Sequence, residues 1–304
     1  MILCVAPSPA WDVTYHVARL RQHATNRVTA LSSRAGGKAV NVARVLHALN
    51  EPVTVLATVG GPTGELFAAD LAASGLPVEL VPDRVETRRT LTIVSDETGD
   101  ATAVNEASRL TDWAGFLTCA DTLMDQASVL VVAGSLPAGA PANAFRELVR
   151  AAAAHGIPVL VDTSGPALLS SLAASPTLVK PNHIELNEVV DATDPLRAAQ
   201  QLARSSGSAV VVSLGAAGMV LAAGEETWRA SLARPLRGNP TGAGDAAVAA
   251  FARGIRIGSD WPSMLGDAVA LAGATVLAPY AGHFATADHA ELLRSVVVER
   301  LTLA

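Results

Sequence analysis

Apolar runs alternate along this chain with stretches whose apolar positions recur every three or four residues. Val53–Val59 (VTVLATV) is an apolar run ending in Gly60-Gly61 and predicts a buried strand. Before it, Val42, Val45, Leu46 and Leu49 repeat at helical spacing. Ser128–Ala133 (SVLVVA) predicts a second strand. Phe145, Leu148, Val149 and Ala152 then mark one helix face, closed by Gly156. Ile157–Val161 (IPVLV) follows as a strand with Asp162 at its C-terminal end. Leu178-Val179 leads into Lys180-Pro181-Asn182, and Ala209–Leu214 (AVVVSL) stops at Gly215. Ala-rich helices are predicted from about Gly244 and from about Trp261, with Ala268–Ala278 a buried helical stretch too short to span a bilayer.

This β-α-β-α order predicts an α/β fold, with a mostly parallel sheet and helices on both faces. Such sheets bind ligands beyond the carboxyl ends of their strands, so the polar residues there are the candidates for chemistry. Val13–Val17 (VTYHV) and Thr90–Val94 (TLTIV) break the pattern by alternating polar and apolar residues, and a turn follows at Asp96–Asp100. They predict strands wet on one face, in a small β-sheet lid built from about 11–35 and 86–106. With no repeat or long linker, 1–304 reads as a single domain carrying that lid.

Composition narrows the function. Half of the 304 residues are apolar, and the net charge is −6 with no cluster of Lys or Arg. A nucleic-acid footprint is absent, and an anionic substrate would be held by a few placed cations. The chain starts MILCVAPSPA without a basic n-region, which predicts no secretory signal, no membrane association and a cytoplasmic protein. Cys4 and Cys119 share no motif and read as reduced thiols. Only two lysines occur among 22 Lys and Arg residues, Lys38 and Lys180, and both fall inside motifs. A site tolerant of either cation gives no reason to keep Lys in such a background.

The strongest motif is Asn239-Pro240-Thr241-Gly242-Ala243-Gly244-Asp245 at a predicted helix start. Small residues let a triphosphate approach the backbone, and amides at a helix N-terminus attract anionic oxygens. Asp245 beside that anion site suits a base that takes the proton of an attacking hydroxyl. An ordinary helix start with an acidic first turn has the same pattern. A dinucleotide fingerprint would need a preceding strand, which Arg234–Pro240 does not supply, and no Walker A sequence is present. A second glycine segment, Gly36-Gly37-Lys38-Ala39-Val40-Asn41, also precedes a helix. Its glycines can present backbone to a ligand, Asn41 can bond hydroxyls and Lys38 can neutralise a phosphate.

Together these motifs resemble the PfkB branch of the ribokinase-like sugar kinases. Gly134-Ser135-Leu136-Pro137, Lys180-Pro181-Asn182 with Glu185, and Ser213-Leu214-Gly215 with Gly218 also look like family motifs, in family order. The opening Pro9–Thr14, Asn26-Arg27-Val28 and Glu86-Thr87-Arg88 are most similar to the group of 1-phosphofructokinase, tagatose-6-phosphate kinase and the minor 6-phosphofructokinase.

The resemblance implies a ribokinase-like fold. It implies ATP-dependent phosphorylation of fructose 1-phosphate, fructose 6-phosphate or tagatose 6-phosphate, with ATP and Mg²⁺ as cofactors. Asp245 would be the base and Gly242, Ala243 and Gly244 the anion hole. Asp12, Gly36, Gly37 and Asn41 would hold the sugar, and Lys38 and Arg88, helped by Ser135, its phosphate. Lys180, Ser213, Gly215, Gly218 and Thr241 would line the nucleotide site, where Asn182 and Glu185 would orient Mg²⁺ through water. Asn182 and Glu185 equally have the spacing of a helix capping box. A homodimer through the exposed face of the lid is expected by the same analogy. Ala39 where the family has Gly, Trp11, and Arg89-Thr90 after Arg88 depart from the pattern and leave the sugar open. A same-fold kinase of an unphosphorylated sugar or nucleoside, and a non-catalytic sensor, are the competing readings.

Overall fold

The computed structural model describes residues 1–190, 194–278 and 280–301. The first half of the chain contains β1 (Ile2–Ala6), β2 (Ala10–Val17), β3 (Val28–Gly36), α1 (Lys38–Ala48), β4 (Val53–Val59), α2 (Gly61–Ser74), β5 (Val78–Pro82), β6 (Arg89–Ser95), β7 (Ala101–Asn105), α3 (Trp113–Met124), β8 (Val129–Ala133) and α4 (Ala144–Ala154). The second half adds β9 (Val159–Asp162), α5 (Gly165–Leu172), β10 (Leu178–Val179), α6 (His183–Asn187), α7 (Pro195–Ser206), β11 (Ala209–Ser213), β12 (Met219–Ala223), β13 (Glu226–Leu232), α8 (Ala243–Ile257), α9 (Trp261–Val276), α10 (Thr286–Leu293) and β14 (Val296–Arg300).

A ten-stranded sheet runs in the order β14-β13-β12-β11-β10-β9-β8-β1-β4-β5. From β11 to β5 every pairing is parallel, and β12, β13 and β14 join antiparallel at one edge. Side chains of each central strand point alternately to two apolar layers. Ile2, Cys4, Val53, Val55, Val129 and Val131 face α1, α2, α8 and α9. Leu3, Val5, Leu56, Leu130 and Val132 face the layer of α3, α4, α5 and α7. Burial on both faces is why these strands read as continuous apolar runs. No described helix is long and apolar enough to cross a membrane.

The two alternating stretches form a separate sheet in the order β3-β2-β6-β7. Register places Asp12 opposite Arg34 and Thr90 on one face. The other face collects Val13, Tyr15, Leu31, Leu91, Ile93 and Val104. None of these six is fully buried, and Leu31 and Val104 are 62% and 56% exposed. This sheet therefore has one polar face and one incompletely covered apolar face.

Candidate active site

The site forms where α1 and α8 begin beside the ends of β9, β10 and β11. Gly242 adopts φ +85°, and a β-carbon there would lie 2.8 Å from Ala281, so only glycine fits this turn. The Ala243 amide that opens α8 donates to the Pro240 carbonyl at 3.2 Å, and Asp245 follows in the first turn, buried. Its Oδ2 accepts a hydrogen bond from Asn41 Nδ2 at 2.9 Å. Burial pushes the Asp245 carboxyl up to about 7, and the Asp162 charge pushes the same way. Lys38, the Asn41 amide and Lys180 oppose that rise without cancelling it. An unpaired carboxylate held near neutrality suits a base better than a helix cap.

Both lysines converge here. Lys38 leaves the first turn of α1 and its Nζ lies 3.2 Å from Asp162 Oδ1 and 3.7 Å from Glu185 Oε1. Lys180 Nζ approaches the same Asp162 oxygen at 3.6 Å. A β-carbon on Gly244 would stand 3.5 Å from Lys180 Nζ, so this ammonium borders the turn before Asp245. Asp162 beside Lys38 holds its ammonium above the ordinary lysine range, against the opposite effect of burial.

The small sheet brings a second group of polar residues to this region. A β-carbon on Gly36 would fall 1.8 Å from Asp12 Oδ2, so the glycine makes room for that carboxylate. Thr90 Oγ1 donates to Asp12 Oδ1. Burial raises the Asp12 carboxyl, while Thr90, the Gly37 backbone and the charges of Arg34 and Arg88 draw it down. Arg88 donates to the Glu106 carbonyl at 3.1 Å, and its buried Nε has no partner among the described residues. Arg89 turns away, donating to Thr63 Oγ1 at 2.8 Å and Glu86 Oε1 at 3.2 Å, so it adds nothing to a phosphate clamp. Ser135 Oγ meets Ser8 Oγ at 3.1 Å at the end of β8.

The capping box at the start of α6 is present. Asn182 Oδ1 accepts from the Ile184 and Glu185 amides at 2.8 and 2.9 Å, and Glu185 Oε2 accepts from the Asn182 amide at 2.8 Å. Asn182 and Ser213 bridge adjacent strand ends. Gly215 and Gly218 shape the turn between β11 and β12, where a β-carbon on Gly218 would lie 2.1 Å from the Ala230 carbonyl oxygen. Thr241 is exposed, its amide donating to Asn239 Oδ1 at 3.0 Å.

Asp162, Arg34 and Ser8 were absent from the sequence-derived set. Asp162 carried a legible signal, a carboxylate closing a buried strand. Arg34 is recognisable only through its register opposite Asp12.

The family model described as pfkB family carbohydrate kinase matches residues 8–287. The structure is similar to phosphofructokinase-2 from Escherichia coli in complex with fructose-6-phosphate, at 28% identity over 96% of this chain and 98% of that one, TM-score 0.88. It is also similar to a possible 1-phosphofructokinase from Thermotoga maritima, at 25% identity over 99% and 100% of the two chains, TM-score 0.90. Arabidopsis thaliana ribokinase complexed with ribose and ATP shares the fold at 21% identity over 96% and 98%, TM-score 0.76. The α/β fold is ribokinase-like, with the small sheet standing apart from the main one.

Proposed function

Because this chain belongs to the pfkB family of carbohydrate kinases, we propose that it moves the γ-phosphoryl group of ATP to a hydroxyl of a hexose phosphate, with Asp245 as the base. The observation that carries this reading is the buried Asp245 carboxylate, raised to about 7 in the first turn of α8 and bonded to Asn41. As the acceptor oxygen attacks, Asp245 takes its proton. The amides of Gly242, Ala243 and Gly244 stabilise charge on the transferring group, and Lys38 and Lys180 add positive charge beside them. Asp12, Asn41 and the backbone of Gly36 and Gly37 hold the sugar. Arg88, with an unpartnered buried Nε, receives its phosphate, near Ser135.

The donor set suits a divalent cation held largely through water. Glu185 keeps Oε1 outside the capping box, whereas Asn182 Oδ1 is spent on two amides, so Glu185 is the better placed of the two. Bound there with ATP, Mg²⁺ would neutralise phosphate charge. Thr241, Ser213, Gly215 and Gly218 border the nucleotide. Similarity to the two phosphofructokinases supports a phosphorylated acceptor.

The chain works as one domain with a lid, and the uncovered face of Val13, Tyr15, Leu31, Leu91, Ile93 and Val104 suits pairing with a second copy. Two free thiols, one buried, fit the reducing cytoplasm.

A coupled ADP-release assay over fructose 1-phosphate, fructose 6-phosphate and tagatose 6-phosphate tests the reading. Turnover on one of them supports it, and faster turnover of fructose or adenosine would replace it.

A further inference from the structure

Asp162 closes β9 at 1% exposure, and the reaction described above assigns it no task. Its Oδ1 takes Lys38 Nζ at 3.2 Å and Lys180 Nζ at 3.6 Å. Its Oδ2 is buried without a hydrogen-bond partner among the described residues. Three segments far apart in sequence thus meet at one carboxylate, and two of them deliver the only lysines of the chain.

A lysine carries a compact charge on a flexible stem, and ordering that stem costs conformational entropy. Two ammonium groups brought together also repel. A fixed carboxylate between them offsets both effects, and its own burial is tolerated because it is paired. Lys180 Nζ borders Gly244, so the anchored charge lies beside the turn that leads into Asp245.

We propose that Asp162 is a positioning residue that pins both lysines beside the N-terminus of α8, so that phosphate oxygens meet preorganised cations. Asp162 reaches the reaction through those lysines. Asp245 is faced by Asp162, Lys38, Lys180 and the Asn41 amide, with Glu185 next to Lys38.

Having only two lysines makes a direct test possible. The full chain carrying ¹³Cε-labelled lysine gives two side-chain signals. In the wild type both are expected broad and displaced from the free-lysine shift. In Asp162→Asn, which keeps the shape and removes the charge, both should narrow and move toward that shift. Wild-type signals already narrow at the free-lysine position overturn the proposal, as do signals unchanged in a folded Asp162→Asn. Should that variant fail to fold, the wild-type spectrum decides alone.

The kinetic readout rests on the kinase reading, whereas the spectra do not, so failure of one leaves the other intact. On whichever acceptor turns over, Asp162→Asn should lower kcat tenfold or more, with a smaller change in acceptor KM. Its acid limb should move to lower pH, because one negative neighbour of Asp245 is gone. A folded variant with kcat within twofold and an unmoved limb overturns the proposal.

Discussion

Asn41 Nδ2 donates to Asp245 Oδ2 at 2.9 Å across 204 positions of sequence. That bond joins the two glycine-rich segments, each just ahead of a helix, into one site. It also orients the carboxylate through a neutral donor, leaving its negative charge free to accept a proton.

Replacing Asp245 with Asn removes the base while keeping a side-chain oxygen for Asn41. The expected loss is about 10²–10⁴-fold in kcat with an unchanged circular dichroism spectrum. A variant that keeps most of its kcat sinks the base assignment.

The acid limb of kcat/KM should fall near pH 7, where the Asp245 carboxyl gains a proton. Stability runs the other way. Its folded value of about 7 lies above the unfolded value near 3.8, so its contribution is complete below about 3.8 and is lost as pH rises through 7. Thermal melts at pH 8 should show Asp245→Asn more stable than wild type, by at most on the order of 4 kcal/mol. Equal melting at pH 8 would argue against a raised carboxyl.

Arg88→Ala should raise KM for a sugar phosphate by about 10- to 100-fold, the value of one charged hydrogen-bonding group, with kcat much less affected. Arg89→Ala should leave KM nearly unchanged, since Arg89 is tied to Thr63 and Glu86. Steady-state kinetics on both variants separates the two arginines.

Gly36→Ala places a methyl 1.8 Å from the Asp12 oxygen position and must displace that carboxylate. Misplacement on this scale costs about 10²-fold in kcat/KM. Normal kinetics would mean that Asp12 does not hold the acceptor.

The uncovered lid face predicts a dimer in light scattering, reduced to monomer by Leu31→Asp at the most exposed apolar position. A monomeric wild type at working concentration removes this assembly.

Much of this was legible in the residues. The buried parallel strands announced themselves as unbroken apolar runs, and Asp245 and Lys38 by their place after glycines. The expected lid bounds of 11–35 took in β3, but no strand was read there because VTALSSRAG lacks a clean alternation and is largely exposed. β12, β13 and β14 are antiparallel additions at an edge and break the β-α rhythm that identified the others. Asn182 and Glu185 could be read as ligands or as a cap. Both residues form the cap, which satisfies the first amides of a five-residue helix, and Glu185 Oε1 stays outside it. The strand-end carboxylate of Asp162 was legible, whereas its contact with both lysines came only with folding.

The two oxygens of Glu185 divide their labour. One fastens the start of α6, while the other lies 3.7 Å from Lys38 Nζ. Local architecture at this loop is therefore insured independently of whatever occupies the site, and swapping occupants need not loosen it. An Asn182→Ala enzyme that lost activity would be reporting an unravelled helix end and would say little about chemistry.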